Sequence, residues 1–234
     1  MIVHRIKTED IDPGAEDIYL CEYKLGVDRR GGQAAGLVDE ASNMPMTRRN
    51  LLLGAAAAGA FAGLPARAEG PVLTADGLYK EPWFLDSFLN LADDLEDAHK
   101  AGKRFVVSWE LKGCPYCKET HFVNFAQARI ADYIKANFEV LQLNIIGSLK
   151  VTDFDGEVLP EKELARKYNV RFTPTFQFFQ ERAAPLKDLA PQKREVARAP
   201  GYMLPDDFLA LFRFVREKAY ETKSFREFLR AQPS

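Results

Sequence analysis

Residues 105–118 read Phe-Val-Val-Ser-Trp-Glu-Leu-Lys-Gly-Cys-Pro-Tyr-Cys-Lys. The first five are apolar, β-branched or aromatic apart from one serine, a composition that predicts a buried strand. Lys112-Gly113 predicts a turn. Pro115 suits the first position of a helix, where a backbone N–H group would have no partner in any case. The stretch therefore predicts a strand that leads directly into a helix, with Cys114 at the helix N-cap.

The two cysteines of this stretch are separated by two residues, so their sulfurs can form and open a disulfide. At the N-cap, Cys114 would face free N–H groups and the positive end of the helix dipole, and Lys112 and Lys118 add positive charge. These effects favour the reactive thiolate, and in such motifs they lower the pKa of a cysteine from about 8.5 to about 3.5–7.5. Because Cys117 lies nearly one turn deeper, we expect Cys114 to be the attacking nucleophile and Cys117 the resolving thiol.

Charge and cysteine content narrow the function classes. The 234-residue chain has 32 Lys and Arg against 34 Asp and Glu, and residues 69–234 have 24 against 25. The sequence has no basic stripe of the kind that indicates nucleic-acid binding. From residue 69 onward the only cysteines are those of the motif. A disulfide across so short a loop constrains the unfolded chain very little, so redox chemistry is favoured over a structural role.

Residues 44–70 resemble a secretory signal. A positive segment, Thr47-Arg48-Arg49, precedes the 14-residue apolar stretch Leu51–Leu64 and the small-x-small site Ala66-Arg67-Ala68. The apolar stretch is shorter than the roughly 17–25 residues that span a bilayer. We expect export with cleavage after Ala68. The segment Thr47–Leu52 is similar to a twin-arginine signal, and the twin-arginine and general secretory routes both stay open.

These boundaries predict three parts: an upstream extension, mis-assigned or disordered, at residues 1–43; a signal peptide at 44–68; and one folded domain at 69–234. Cys21 lies in the extension and is given no role. Within the domain, hydrophobic periodicity predicts strands and helices in alternation. The predicted strands are Phe105–Trp109, Phe138–Ile145, Thr175–Phe179 and Lys193–Ala199. The predicted helices are Pro82–Ala101, a long helix from the cysteine motif to about Asn137, Pro160–Tyr168, one through Phe208–Ala219 and a short last one around Phe225–Leu229.

The expected fold class is α/β: a central mixed β-sheet flanked by helices, with a small hairpin insertion and C-terminal helices. The hairpin is predicted from Asp155-Gly156, a typical pair for a tight turn. With these features the chain resembles thioredoxin-fold proteins over roughly residues 82–219. The resemblance rests on Gly113–Lys118, on the run Glu163–Val170 followed by Thr173-Pro174-Thr175, and on Pro200-Gly201-Tyr202.

The chain is more narrowly similar to the SoxW-type periplasmic thioredoxins of sulfur-oxidising bacteria. In that group Gly-Cys-Pro-Tyr-Cys, a Val-Thr-Asp-Phe-Asp-Gly insertion and Arg-Phe-Thr-Pro-Thr occur together, as they do here. The resemblance implies a periplasmic monomer that reduces disulfide-bearing periplasmic proteins, is linked to sulfur oxidation, and receives electrons from a membrane donor of the CcdA/SoxV type. It implies no cofactor besides the redox-active disulfide Cys114–Cys117, no metal and no nucleic acid.

The resemblance also implies a cis peptide bond at Thr173-Pro174, beside the dithiol. There the Thr173 backbone would be presented to an extended substrate chain, and the proline would keep metals away from the cysteines. Pro115-Tyr116 stands where ordinary thioredoxins have Gly-Pro, and Tyr116 is expected to tune the dithiol or to pack against substrate.

Ordinary thioredoxins carry a buried acid at the position of Ser108. Glu110 lies two residues later on the same face of the strand. It is a candidate proton acceptor for Cys117, although a charge near a strand end is commonly solvated.

Two other functions stay open. One is a disulfide oxidase or isomerase of the Dsb type, which shares the same residues. The other is a metal carrier that uses Cys114, Cys117 and His121. Structural zinc sites normally have four ligands and no fourth is evident, so the spacing favours an ordinary surface histidine at position 121.

Overall fold

The computed structural model describes residues 70–231. The predicted extension at 1–43, the predicted signal peptide at 44–68 and the predicted cleavage site after Ala68 lie outside these residues. In the part described, no helix has the length and apolar character needed to cross a membrane.

The strands and helices alternate much as predicted. In residues 70–231 the strands are β1 (Val72–Leu73), β2 (Tyr79–Lys80), β3 (Arg104–Glu110), β4 (Phe138–Asn144), β5 (Lys150–Thr152), β6 (Val158–Pro160), β7 (Thr175–Phe179) and β8 (Glu195–Pro200). The α-helices are α1 (Leu91–Lys100), α2 (Pro115–Glu119), α3 (Ala128–Asn137), α4 (Glu161–Lys167), α5 (Pro205–Arg216) and α6 (Phe225–Arg230).

The central sheet has the strand order β4-β3-β7-β8. Strands β3 and β4 are parallel, whereas β7 is antiparallel to both β3 and β8, so the expected mixed sheet is confirmed. All seven residues of β3 are buried. Phe105, Val107 and Trp109 belong to a core that includes buried residues of α1 and α4. Val106 belongs to a second core with buried residues of α3 and α5, which places helices on both faces of the sheet.

The first helix is shorter than predicted. It begins at Leu91, and the Oδ1 atom of Asn90 accepts hydrogen bonds from the N–H groups of Ala92 and Asp93. The preceding Leu89 has a φ of 62°, outside the helical region, and Phe88 is fully exposed rather than part of an apolar stripe. The prediction of a helix from Pro82 is therefore wrong, because the asparagine cap sets the start.

The helix that carries the cysteine motif is not continuous. Helix α2 runs into a π-helical turn at Thr120–Asn124, and a bend separates that turn from α3. The wide turn directs three polar side chains inward: Thr120, His121 and Asn124 are all buried. The amide nitrogen of Asn124 donates to the Met203 carbonyl at 3.0 Å, which ties this turn to the segment before α5.

The residues before α1 lie along the edge of the central sheet. Gln142 of β4 donates a side-chain hydrogen bond to the Tyr79 carbonyl at 2.6 Å, and the Leu85 N–H donates to the Val140 carbonyl at 2.9 Å. The β1–β2 hairpin of this segment borders the cysteine motif.

The predicted hairpin insertion is present as β5 and β6. Gly156 has a φ of 83° at its turn, a conformation that favours glycine after aspartate. Arg194 holds the hairpin to the rest of the domain, because its guanidinium donates to Asp153 Oδ2 and to Asp155 Oδ2, each at 2.8 Å.

Candidate active site

Cys114 and Cys117 lie where β3 passes into α2. Gly113, with a φ of 76°, turns the chain, Cys114 is the N-cap residue and Pro115 opens the helix, as predicted. The two sulfurs are joined in a disulfide. The N–H of Cys117 donates to Cys114 Sγ at 3.0 Å, an interaction that also stabilises a thiolate at Cys114. Cys117 is buried and Cys114 is partly exposed, as their expected roles require.

The loop before β7 faces the disulfide. Thr173-Pro174 is a cis peptide bond, which confirms the bond predicted there. Cys114 Sγ lies 3.4 Å from the Thr173 carbonyl oxygen. On the other side of this loop, the Gly201 N–H donates to the Pro174 carbonyl at 2.6 Å. The residues expected to bind substrate, Thr173 and Pro174, are thus beside the partly exposed sulfur.

Apolar side chains surround the accessible side of the motif. Tyr116 is 55% exposed and stacks on Tyr202, with ring centroids 6.1 Å apart and an angle of 18° between the rings. Phe172, next to the cis peptide bond, and Leu204, just before α5, are also exposed. An apolar rim of this kind suits contact with a polypeptide substrate.

Glu110 is buried rather than solvated, with 1% of its surface exposed. The Ser108 hydroxyl donates to Glu110 Oε1 at 2.9 Å, so these two residues do share a face of β3. Glu110 and Cys117 both line a cleft of about 550 Å³ that extends between the cysteine motif and the β1–β2 hairpin.

The prediction of a surface histidine at position 121 is wrong, because His121 is fully buried. Its Nδ1 lies 2.9 Å from Glu81 Oε1, and its Nε2 lies 3.1 Å from Glu110 Oε2. Both ring nitrogens thus face carboxylates instead of the cysteines. Within residues 70–231, no group of three or more His, Cys, Asp or Glu is arranged to hold a metal ion.

Glu81 is the member of this site that sequence reasoning missed. It is 3% exposed and follows β2 directly. No motif contains it, and 40 residues separate it from His121. A charged residue between Lys80 and Pro82 gives no sequence signal of burial, so only the tertiary structure shows the pairing.

A family model described as a thioredoxin-like domain matches residues 91–216 of this chain. The chain belongs to the thioredoxin-like family. No curated protein sequence matches it significantly.

Solved structures also resemble this thioredoxin-like chain. One is a thioredoxin-fold protein from Helicobacter pylori, at 22% identity and a TM-score of 0.44, covering 63% of this chain and 86% of that one. Another is a thioredoxin from Thermus thermophilus, at 25% identity and a TM-score of 0.39, covering 54% of this chain and 83% of that one. The family and the disulfide-bonded Cys114–Cys117 pair identify a thiol–disulfide oxidoreductase.

The buried histidine gives this thioredoxin-like domain a distinct electrostatic feature. Burial lowers the pKa of His121, but the hydrogen bonds and negative charges of Glu110 and Glu81 outweigh burial and raise the pKa to about 9. His121 is therefore a cation at neutral pH. A histidinium between two carboxylates satisfies both of its N–H donors.

Folding stability of the oxidised protein is expected to fall as the pH rises from about 6.5 to about 9. A raised histidine pKa contributes stability that is complete below the unfolded-state value and is lost as His121 deprotonates in the folded state. The difference between the unfolded-state pKa of about 6.5 and the folded-state pKa of about 9 corresponds to roughly 3 kcal/mol of folding stability. Urea unfolding at a series of pH values measures it.

His99, an exposed histidine in α1, supplies the control for this pH dependence. The variant H99Q should keep the decrease in stability, whereas H121Q should lose it. A wild-type free energy of unfolding that stays constant over this pH range would contradict the assignment.

Proposed function

We propose that this thiol–disulfide oxidoreductase is a periplasmic reductant of the SoxW type. In this proposal it acts as a monomer, receives electrons from a membrane donor of the CcdA/SoxV type and reduces disulfide-bearing periplasmic proteins linked to sulfur oxidation. The sequence resemblance described above supports the compartment and the partners. The observation that carries the chemistry is the partly exposed Cys114 sulfur, which lies at the helix N-terminus and beside the Thr173 carbonyl.

Each candidate residue has a place in the proposed reaction. The Cys114 thiolate attacks a substrate disulfide, forms a mixed disulfide and releases one substrate thiolate. Cys117 then attacks Cys114 and releases the second. Pro115 fixes the start of α2 so that Cys114 stays at the N-cap. Tyr116 adds apolar contact with the substrate.

Three further residues complete this arrangement. The Thr173 backbone, held by the loop at Pro174, pairs with an extended substrate chain. Glu110 accepts the proton of Cys117 before that sulfur attacks.

The proposed direction of electron flow comes from the sequence resemblance to SoxW-type proteins, which implies a reductant. A dithiol protein becomes a strong oxidant when its reduced thiolate form is strongly stabilised. The reduction potential of the Cys114–Cys117 pair therefore decides between a reductant and an oxidase of the Dsb type.

Redox equilibration of residues 69–234 with glutathione or dithiothreitol buffers tests the direction. We expect a reduction potential near −270 mV, the approximate value for thioredoxin, rather than near −120 mV, the approximate value for DsbA. Thiol alkylation and mass spectrometry measure the oxidised fraction. A potential near the DsbA value would leave the dithiol chemistry intact but reverse its direction.

A further inference from the structure

Three ionisable side chains form a buried cluster that reaches the cleft of the cysteine motif at Glu110. Glu81, Glu110 and His121 are each at most 3% exposed. The histidine bridges the two carboxylates, with Nδ1 2.9 Å from Glu81 and Nε2 3.1 Å from Glu110. The imidazole also lies against the aromatic rings of Tyr79, Phe84 and Phe125, whose centroids are 5.5–6.3 Å from its own.

The cluster holds two carboxyl groups but a single imidazole. One histidinium can compensate one carboxylate, and burial makes any further unpaired charge costly unless a proton or a cation neutralises it. Of the two carboxyl groups, Glu110 is the one that lines the cleft at the cysteine motif. It is therefore the member of the cluster that can exchange a proton with the cleft.

The position of Glu110 determines where that proton comes from. Glu110 and Cys117 both line the 550 Å³ cleft below the β1–β2 hairpin, and Lys112 and Lys118 line it as well. Neither lysine is hydrogen-bonded to a member of the cluster, and both are exposed. Cys117 is thus the buried acidic group that shares a surface with the cluster.

We propose that Glu81, His121 and Glu110 act together as the proton acceptor for Cys117, with Glu81 and His121 as positioning residues. The proposal rests on the dithiol chemistry proposed above and adds a mechanism for its resolving step. His121 holds the Glu110 carboxylate in place through its Nε2. Glu81 fixes the ring of His121 from the opposite side.

The proposed step conserves protons and electrons. In the mixed disulfide, the Cys117 thiol gives its proton to Glu110, and the resulting thiolate attacks Cys114 Sγ. The Cys114–Cys117 bond forms while the bond from Cys114 to the substrate sulfur breaks, and the electron pair leaves with the substrate sulfur as a thiolate. The two cysteines are oxidised and the substrate disulfide is reduced. Glu110 later returns its proton to water in the cleft.

The location of Glu81 distinguishes this arrangement from the family core. The family model begins at residue 91, and Glu81 lies ten residues before it. The segment that carries Glu81 is attached to β4 by the hydrogen bond from Gln142 to the Tyr79 carbonyl. A residue outside the matched domain therefore completes the buried cluster.

Single-turnover oxidation separates the two sulfur steps. Reduced protein carrying C21S, in which the only thiols are those at 114 and 117, is mixed with Ellman's reagent. This aromatic disulfide releases a coloured thiolate once when Cys114 attacks and again when Cys117 resolves. The rate of the first phase depends on reagent concentration and that of the second does not. Both are measured in wild type, H121Q and E81Q between pH 5 and 9, with H99Q as the matched control on an exposed histidine.

We expect H121Q to slow the second phase at pH 7 by at least about 10-fold and to move its pH dependence toward higher pH. E81Q should change the second phase in the same direction, and it supplies the test if H121Q does not fold. The first phase should change less than about 2-fold in both variants, because the Cys114 environment is intact. A purely structural role would not slow one phase selectively.

The outcomes separate this proposal from the function it rests on. If reduced wild type releases no coloured thiolate, the dithiol chemistry itself is wrong. If wild type shows both phases, and the folded variants match H99Q in the second phase at every pH, the proton-acceptor cluster is wrong and the oxidoreductase function stands.

Discussion

Cys114→Ser is expected to abolish disulfide reduction, a loss on the order of 10³-fold or more, because serine supplies no thiolate at neutral pH. Cys117→Ser is expected to retain the first attack and stop there. The difference follows from exposure: the Cys114 sulfur is partly exposed beside Thr173, whereas Cys117 is 3% exposed. Reduction of insulin disulfides in the presence of a chemical electron donor measures the overall loss.

The trapped intermediate gives this prediction a direct readout. Incubation of C117S with a disulfide-bearing peptide should produce a covalent adduct of one peptide thiol per protein molecule, visible by intact-mass spectrometry. Dithiothreitol should release it. Since the thiols at 114 and 117 are the only ones in residues 69–234, the adduct identifies its own sulfur. A stable adduct on Cys117 in C114S, with none in C117S, would reverse the two roles.

The parts of the site that local sequence determines were predictable. The N-cap position of Cys114, the start of α2 at Pro115 and the depth of Cys117 all depend on neighbouring residues, and the structure agrees with each. The cis bond at Thr173-Pro174 was predicted from the family resemblance of the surrounding motif. The central strands also appear within two residues of their predicted bounds, since runs of buried apolar residues define them.

Errors arose where the decisive contact is distant in sequence or where a cap overrides periodicity. The apolar spacing of Leu85, Phe88, Ala92 and Leu95 fits a helix, yet the chain enters the helix only at Asn90. An asparagine followed by an acidic first turn is a sequence signal that would have corrected this boundary. His121 has no comparable signal, because the carboxylate that pairs with its Nδ1 comes from a different segment.

The hairpin insertion likewise combines a turn that adjacent residues determine with an ion pair to a residue far away in the sequence. The Asp155-Gly156 turn was predicted from its sequence, but the arginine that neutralises the Asp155 carboxylate was not. Arg194 lies 39 residues away, and its side chain is only 3% exposed. It lies within the strand predicted at Lys193–Ala199, whereas the observed strand begins one residue after it, at Glu195. The structure shows instead a buried ion-pair network that joins the hairpin, α4 and the segment before β8.

Arg194→Met is expected to lower the free energy of unfolding by about 3 kcal/mol. The guanidinium donates to Asp153 at 2.8 Å, to the Tyr168 hydroxyl at 3.0 Å and to the Leu189 carbonyl at 2.9 Å. Methionine retains most of the side-chain volume but none of these hydrogen bonds. The loss should lower the melting temperature by roughly 6–12 °C for a domain of this size.

The expected loss of stability arises from the Asp153 carboxylate, which stays buried after the substitution. Asp153 is fully buried as a side chain, and the substitution would leave its carboxylate with Lys167, the Tyr168 hydroxyl and the Phe154 N–H as partners. A buried carboxylate that loses a partner keeps its desolvation penalty, whereas an exposed one recovers hydration. Arg182→Met provides the contrast, because Arg182 also pairs with a carboxylate, that of Glu96, but its side chain is 58% exposed. That variant should change stability by less than about 0.5 kcal/mol.

Urea unfolding of the two arginine variants measures the difference between them. The substitution is the same in both, so the intrinsic preferences of arginine and methionine cancel to first order and burial remains the main variable. Equal destabilisation would mean that the hairpin is held by its backbone pairing and apolar contacts alone. A large effect confined to Arg194→Met would show that this buried network fixes the insertion on the thioredoxin-like core.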